Sequence, residues 1–142
     1  MGSGSDPTRR RDALFDSEFL DRFGRWPIAY ISAGGADTGD VVAVAEAVGA
    51  GDESDYYEAF VASGDAKVAD AQALLDAGHR RSARDRFLRA SCMYAAAFHP
   101  IYGKPVDPRL LAAFDKETEA FRGRNGTPRP AGAPDHHRVR RA

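Results

Sequence analysis

Between Ser17 and Phe121 the chain is a succession of helical apolar stripes, each bracketed by residues that start or stop a helix. The two-residue alternation of a half-buried strand is nearly absent. The clearest stripe is Ala83, Phe87, Ala90, Tyr94 and Ala97, whose four- and three-residue steps put all five side chains on one side of a helix. Ser82 stands ahead of it as a candidate N-cap, with Asp85 three places on to complete a capping box, and Pro100 marks its end. Val68, Ala71, Leu74 and Leu75 form a second stripe that ends at Gly78, a residue suited to the left-handed turn beyond a helix. Tyr56, Tyr57, Phe60 and Val61 form a third, for which Asp55 and Glu58 are candidate caps. Gly64 either interrupts this segment or lies inside one long helix at a cost of about 1 kcal/mol.

The remaining stripes are bounded just as clearly. Asp107 caps a helix with Pro108 in its first turn, Gly123 follows its last turn, and the expected buried face is Leu111, Phe114, Thr118 and Phe121 with Leu110 beside them. Val41, Val44, Ala45 and Val48 define a helix opened by Asp37 or Thr38 and closed by Gly49. A shorter helix is expected from Ser17 to Phe23, and Ile28 to Ile31 is a short candidate strand. The fold class is all-α: a small bundle of five to six helices over residues 13–122.

Both ends contrast with this body. Residues 1–12 show no periodic apolar pattern, and from Gly123 onward Pro128, Pro130 and Pro134 break any helix. Such segments bury too little surface to offset their ordering entropy, so disordered tails are expected over 1–12 and 123–142. The tails are basic, at +1 for residues 1–12 and +5 for 122–142, while the body from 13 to 121 carries −7. Of 20 basic residues 17 are Arg, which reads as coding bias rather than as a binding signal.

The sequence limits the chemistry. Cys92 has no partner within the chain, which excludes an internal disulfide framework, and a buried inert thiol is expected there. No serine has the flanking glycines of a nucleophile elbow, and the glycine spacings of phosphate-cradling loops are missing. His79, His99, His136 and His137 lack carboxylate or Cys neighbours at ligand spacing, so no metal and no cofactor are expected. Without a basic folded face or an aromatic platform, the basic tail implies no specific nucleic-acid partner. Apolar runs fall far short of a membrane span and no signal peptide opens the chain, so a cytoplasmic protein without a membrane partner is expected.

Tyr56, Tyr57, Phe60, Tyr94, Phe98 and Tyr102 are either core aromatics or the lining of a cavity between helices, and their periodicity favours the core. Their setting adds a resemblance. Gly34 to Asp37 (GGAD), the Gly-Asp and Tyr-rich turn from Gly51 to Phe60, the Ala-Gly-His of 77–79, the Arg89 to Phe98 helix and the Pro108 to Phe121 helix occur in that order. In that order and spacing they resemble the N-terminal helical domain of a group of α/β hydrolases, the group of the fermentation-respiration switch protein and 2,6-dihydroxypseudooxynicotine hydrolase. The group often carries Trp in the Gly51–Phe60 turn, where this chain has Asp55, Tyr56 and Phe60.

The resemblance implies a helical cap over the active site of a Ser-Asp-His hydrolase acting on a carbonyl or ester substrate. It implies that Tyr56, Tyr57, Tyr94 and Phe98 face the pocket. The catalytic half with its triad does not follow Phe121, so the expected product is a truncated or frameshifted fragment, inactive alone, whose partner is a separate catalytic domain. An exposed apolar face on such a cap would drive self-association. The alternative is a tetratricopeptide-like interaction module, for which Val68 to Phe98 supplies one helical hairpin and no second copy in phase.

Overall fold

The computed structural model describes residues 12–126; the tails expected over 1–12 and 123–142 lie largely outside these residues. The described chain is all-helical. It comprises α1 (Glu18–Gly24), a 3-10 segment (Trp26–Ala33), α2 (Thr38–Val48), α3 (Glu53–Asp76), α4 (Arg80–Phe98), a 3-10 turn (His99–Ile101) and α5 (Pro108–Arg124). Among the described residues there is no strand. Ile28 to Ile31 forms part of the first 3-10 segment, opened by Pro27 and closed by Gly34 in the left-handed region at φ 76°.

Several starts follow local chemistry. Ser17, Asp37 and Asp107 cap α1, α2 and α5, each accepting a backbone N–H of its own helix. For α3 the cap lies earlier than expected: Asp52 accepts from Ser54 and Asp55, and the Asp55 carboxylate accepts in return from the Asp52 N–H. Asp55 therefore closes the capping box rather than opening the helix. From there α3 runs unbroken for 24 residues with Gly64 inside it.

The expected Ser82 cap of α4 is not used. At the end of α3 the Gly78 N–H bonds the Leu75 carbonyl and the His79 N–H bonds that of Leu74, with Gly78 at φ 83°, a complete Schellman turn. That turn delivers the chain straight into α4 at Arg80, two residues before Ser82, and His79 holds the N-cap position without a side-chain cap bond.

Helix α4 is the centre of the fold, packed against α3, α5 and both 3-10 segments. Its predicted stripe is buried throughout: Ala83, Phe87, Ala90, Tyr94 and Ala97. The main core joins Phe15, Leu20, Val44, Val48, Tyr56, Phe60 and Met93. On α5 the expected face is corrected. Phe114 and Phe121 are 50% and 44% exposed, Leu110, Leu111 and Thr118 are half-buried, and the residues fully against α4 are Ala113 and Ala120. Small side chains at this crossing let the two backbones approach, and the larger aromatics are rotated outward. Helix α5 also continues through Gly123 to Arg124.

Helices α2 to α5 are 11, 24, 19 and 17 residues long. They do not form the matched, stacked pairs of a tetratricopeptide array, which does not favour that alternative.

Candidate functional site

The four aromatics expected to face a pocket fall into three packing clusters. Tyr56 is fully buried in the main core, its hydroxyl donating to the Ala96 carbonyl at 3.0 Å. Tyr94 is 2% exposed in a cluster with Ala90 and Ala120, and its hydroxyl donates to Asp65 Oδ1 at 2.6 Å. Tyr57 and Phe98 are brought together, Phe98 buried and Tyr57 half-buried, with Ala95, Ile101 and Ala113. The Tyr57 hydroxyl donates to the Arg109 carbonyl at 2.9 Å, and the Arg109 guanidinium lies 5.5 Å over the Tyr57 ring. Burial pushes the phenol pKa of Tyr56, Tyr57 and Tyr94 upward, so all three stay neutral hydroxyl donors. Three surface cavities, of about 330, 330 and 530 Å³, are lined by other residues.

Above Phe98 the surface is aromatic and open. Trp26 meets Tyr30 and His99 edge-on, with centroids 4.7 and 4.6 Å apart, and His99 stacks on Tyr102 at 5.9 Å. Phe98 touches both Tyr102 and Phe114, each at 6.0 Å. The result is a continuous band from Tyr30 to Phe114 assembled from the first 3-10 segment, the 3-10 turn after α4 and the start of α5. Four of its members are exposed, Tyr30 37%, Trp26 38%, Phe114 50% and Tyr102 65%, while His99 is half-buried. Burial holds the His99 pKa below the usual imidazole value, so the band is uncharged at neutral pH. Phe98 and Tyr57 form its floor.

Most of this band was not legible as a site. Phe114 reads as a core position on helical spacing, and Ile28 to Ile31, inside the apolar run from Trp26 to Ile31, reads as a short candidate strand. The run itself was the available signal, since successive side chains in one short element point in different directions and cannot all face one core.

Elsewhere the chemistry is quiet. Cys92 is half-buried, and its burial, aided by Glu117 and only partly opposed by Ser91, raises the thiol pKa and disfavours the reactive thiolate. Among the described residues no three His, Cys, Asp or Glu side chains cluster in a way that could hold a metal ion; His136 and His137 lie outside them. No described helix is long and apolar enough to cross a membrane.

The chain is 34% identical over 94 residues to hydrolase acrC of Aspergillus aculeatus. The match covers 66% of this chain and 22% of that protein, so the chain spans under a quarter of the length of the curated relative it matches. Two thirds of the chain are thus related to part of a hydrolase. No protein-family model matches the sequence, and no solved structure matches it.

Proposed function

We propose that this chain is the helical cap of a hydrolase-type protein, laid over a catalytic domain of the Ser-Asp-His kind and shaping access for a carbonyl or ester substrate. The observation that carries this reading is the exposed aromatic band. A segment that matches 22% of a longer hydrolase has the rest of such a protein as its natural neighbour, and an uncharged aromatic face is what that neighbour would cover. Tyr57 and Phe98 then act as the inner wall of the covered face, while Tyr56 and Tyr94 hold the helices that present it. The cap itself supplies no nucleophile.

The test uses the catalytic portion of an acrC-like hydrolase from which the matching stretch has been deleted. The reading expects saturable binding of the present chain to it, a change in the turnover of a p-nitrophenyl ester on binding, and loss of both in the Tyr102→Ser/Phe114→Ser double variant. Absence of a complex, or ester turnover by the chain alone, would overturn it.

A further inference from the structure

At the end of the bundle where α4 begins and α5 finishes, a surface cavity of about 530 Å³ is lined by Arg80, Arg81, Arg84, Arg124 and Asn125. Three of these guanidinium groups come from the first turns of α4 and the fourth from the last turn of α5. The two helices are held together by a close contact. A Cβ on Gly123 would lie 3.0 Å from the Phe87 ring, so the missing side chain is what lets α5 settle here and carry Arg124 to the cavity rim.

The arrangement is electrostatically unbalanced. Among the described residues no carboxylate pairs with any of the four arginines, and Arg124 instead rests 5.2 Å over the Phe121 ring. At the end of α3, Asp76 accepts from Gln72 and forms no ion pair with these arginines among the described residues. No acidic residue occupies the first turn of α4, where the exposed amides and helix dipole favour negative charge. Arginine there is the unfavourable sign. The cluster also stands out against a body that carries −7 over residues 13–121. An anion in the cavity would relieve the repulsion and use the guanidinium forks, whose planar donor pairs match phosphate oxygens.

We propose that this cavity binds a small, multiply charged phosphate compound, on the evidence of four arginines from two helices that line one ligand-sized space and have no carboxylate partner among the described residues. The volume falls in the range of small-molecule sites, about 300–1,000 Å³. A single carboxylate would balance only one of the four charges, and among the described residues no aromatic side chain lines the cavity to stack a nucleobase. The site stands apart from the aromatic band and does not depend on the cap reading.

The experiment is calorimetric titration of the full chain with inorganic pyrophosphate and with inorganic phosphate at constant ionic strength. Expected are saturable 1:1 binding, tighter for pyrophosphate, and affinities at least about tenfold weaker in Arg81→Glu and in Arg124→Glu, because each removes a charge-assisted contact. Arg22→Glu on α1, outside the cavity, should bind like the parent. Without ligand, Arg81→Glu should melt no lower than the parent, since it relieves the repulsion; this also verifies folding. The proposal is overturned by the absence of saturable binding, by equal weakening in Arg22→Glu, or by unchanged affinity in both cavity variants. It is equally overturned if a single-stranded oligonucleotide binds more tightly as its length grows and displaces pyrophosphate, which would indicate a polymer surface instead.

Discussion

Gly64 lies where α3 crosses Tyr94, and a Cβ there would meet the ring carbon Cε1 at 2.5 Å. Alanine gains about 1 kcal/mol over glycine inside a helix, but overpacking a core commonly costs about 1–3 kcal/mol. Because the obstructing ring is buried and its hydroxyl is held by Asp65, the steric term should win. Gly64→Ala is therefore expected to lower stability by about 1 kcal/mol, read from the urea midpoint; an increase would show that Tyr94 can move aside. Asp21 makes a prediction in pH. Burial raises its pKa, but the N–H groups of Phe15 and Leu14 and the Arg25 guanidinium together outweigh this, and the net shift is downward from 3.8. A carboxylate with a lowered folded pKa stabilises the fold above its unfolded value and loses that contribution as pH falls through the folded one. Stability should therefore fall as the pH drops below about 4, and Asp21→Asn should flatten that fall in denaturation curves at successive pH values.

At the level of elements, α5 carries the sharpest contrast. Ala113 is fully buried against α4, while its neighbour Phe114 is half exposed. Ala113→Leu should therefore cost about 1–3 kcal/mol by overpacking, whereas Phe114→Ser, which gives up about half of a phenyl ring's burial, should cost about 1 kcal/mol or less in thermal denaturation. Reversal of that order would mean that the helix is rotated. The same helix shows how far the chain can be read unaided. Its Asp107 cap and Pro108 start were legible, because capping is a local matter of one side chain and two or three backbone amides. So were the burial of the α4 stripe and the ends of α2, which depend on periodicity and a glycine. The buried side of α5 was not, because a close crossing selects small residues, and a hydrophobicity pattern ranks Phe114 above Ala113. The start of α4 was misplaced for a similar reason: Ser82 and Asp85 look like a capping box, but the turn at Gly78 and His79 is fixed by the helix before it.

For the molecule as a whole, the exposed band and the buried core place aromatic residues in two distinct populations. The first is assembled from segments far apart in the sequence, which is why no local pattern disclosed it, whereas Tyr56, Phe60 and Tyr94 were legible as core from their spacing. If the band is a covered face, the isolated 15.3 kDa chain should associate as its concentration rises. Static light scattering should show the mass climbing with concentration, and Tyr102→Ser with Phe114→Ser should return it to that of one chain. A monomer at all concentrations would remove self-association from the properties of this face. The central place of α4 has a consequence of another kind. Its heaviest packing is with α3 just before it and α5 just after it, so the decisive encounters join segments adjacent in sequence, and little loop entropy is spent before they form. The main refolding phase should thus fall within about microseconds to milliseconds, as in other bundles of local topology. The slowest-exchanging backbone amides should be those of α4 between Ala90 and Ala97, where opening requires both flanking helices to leave.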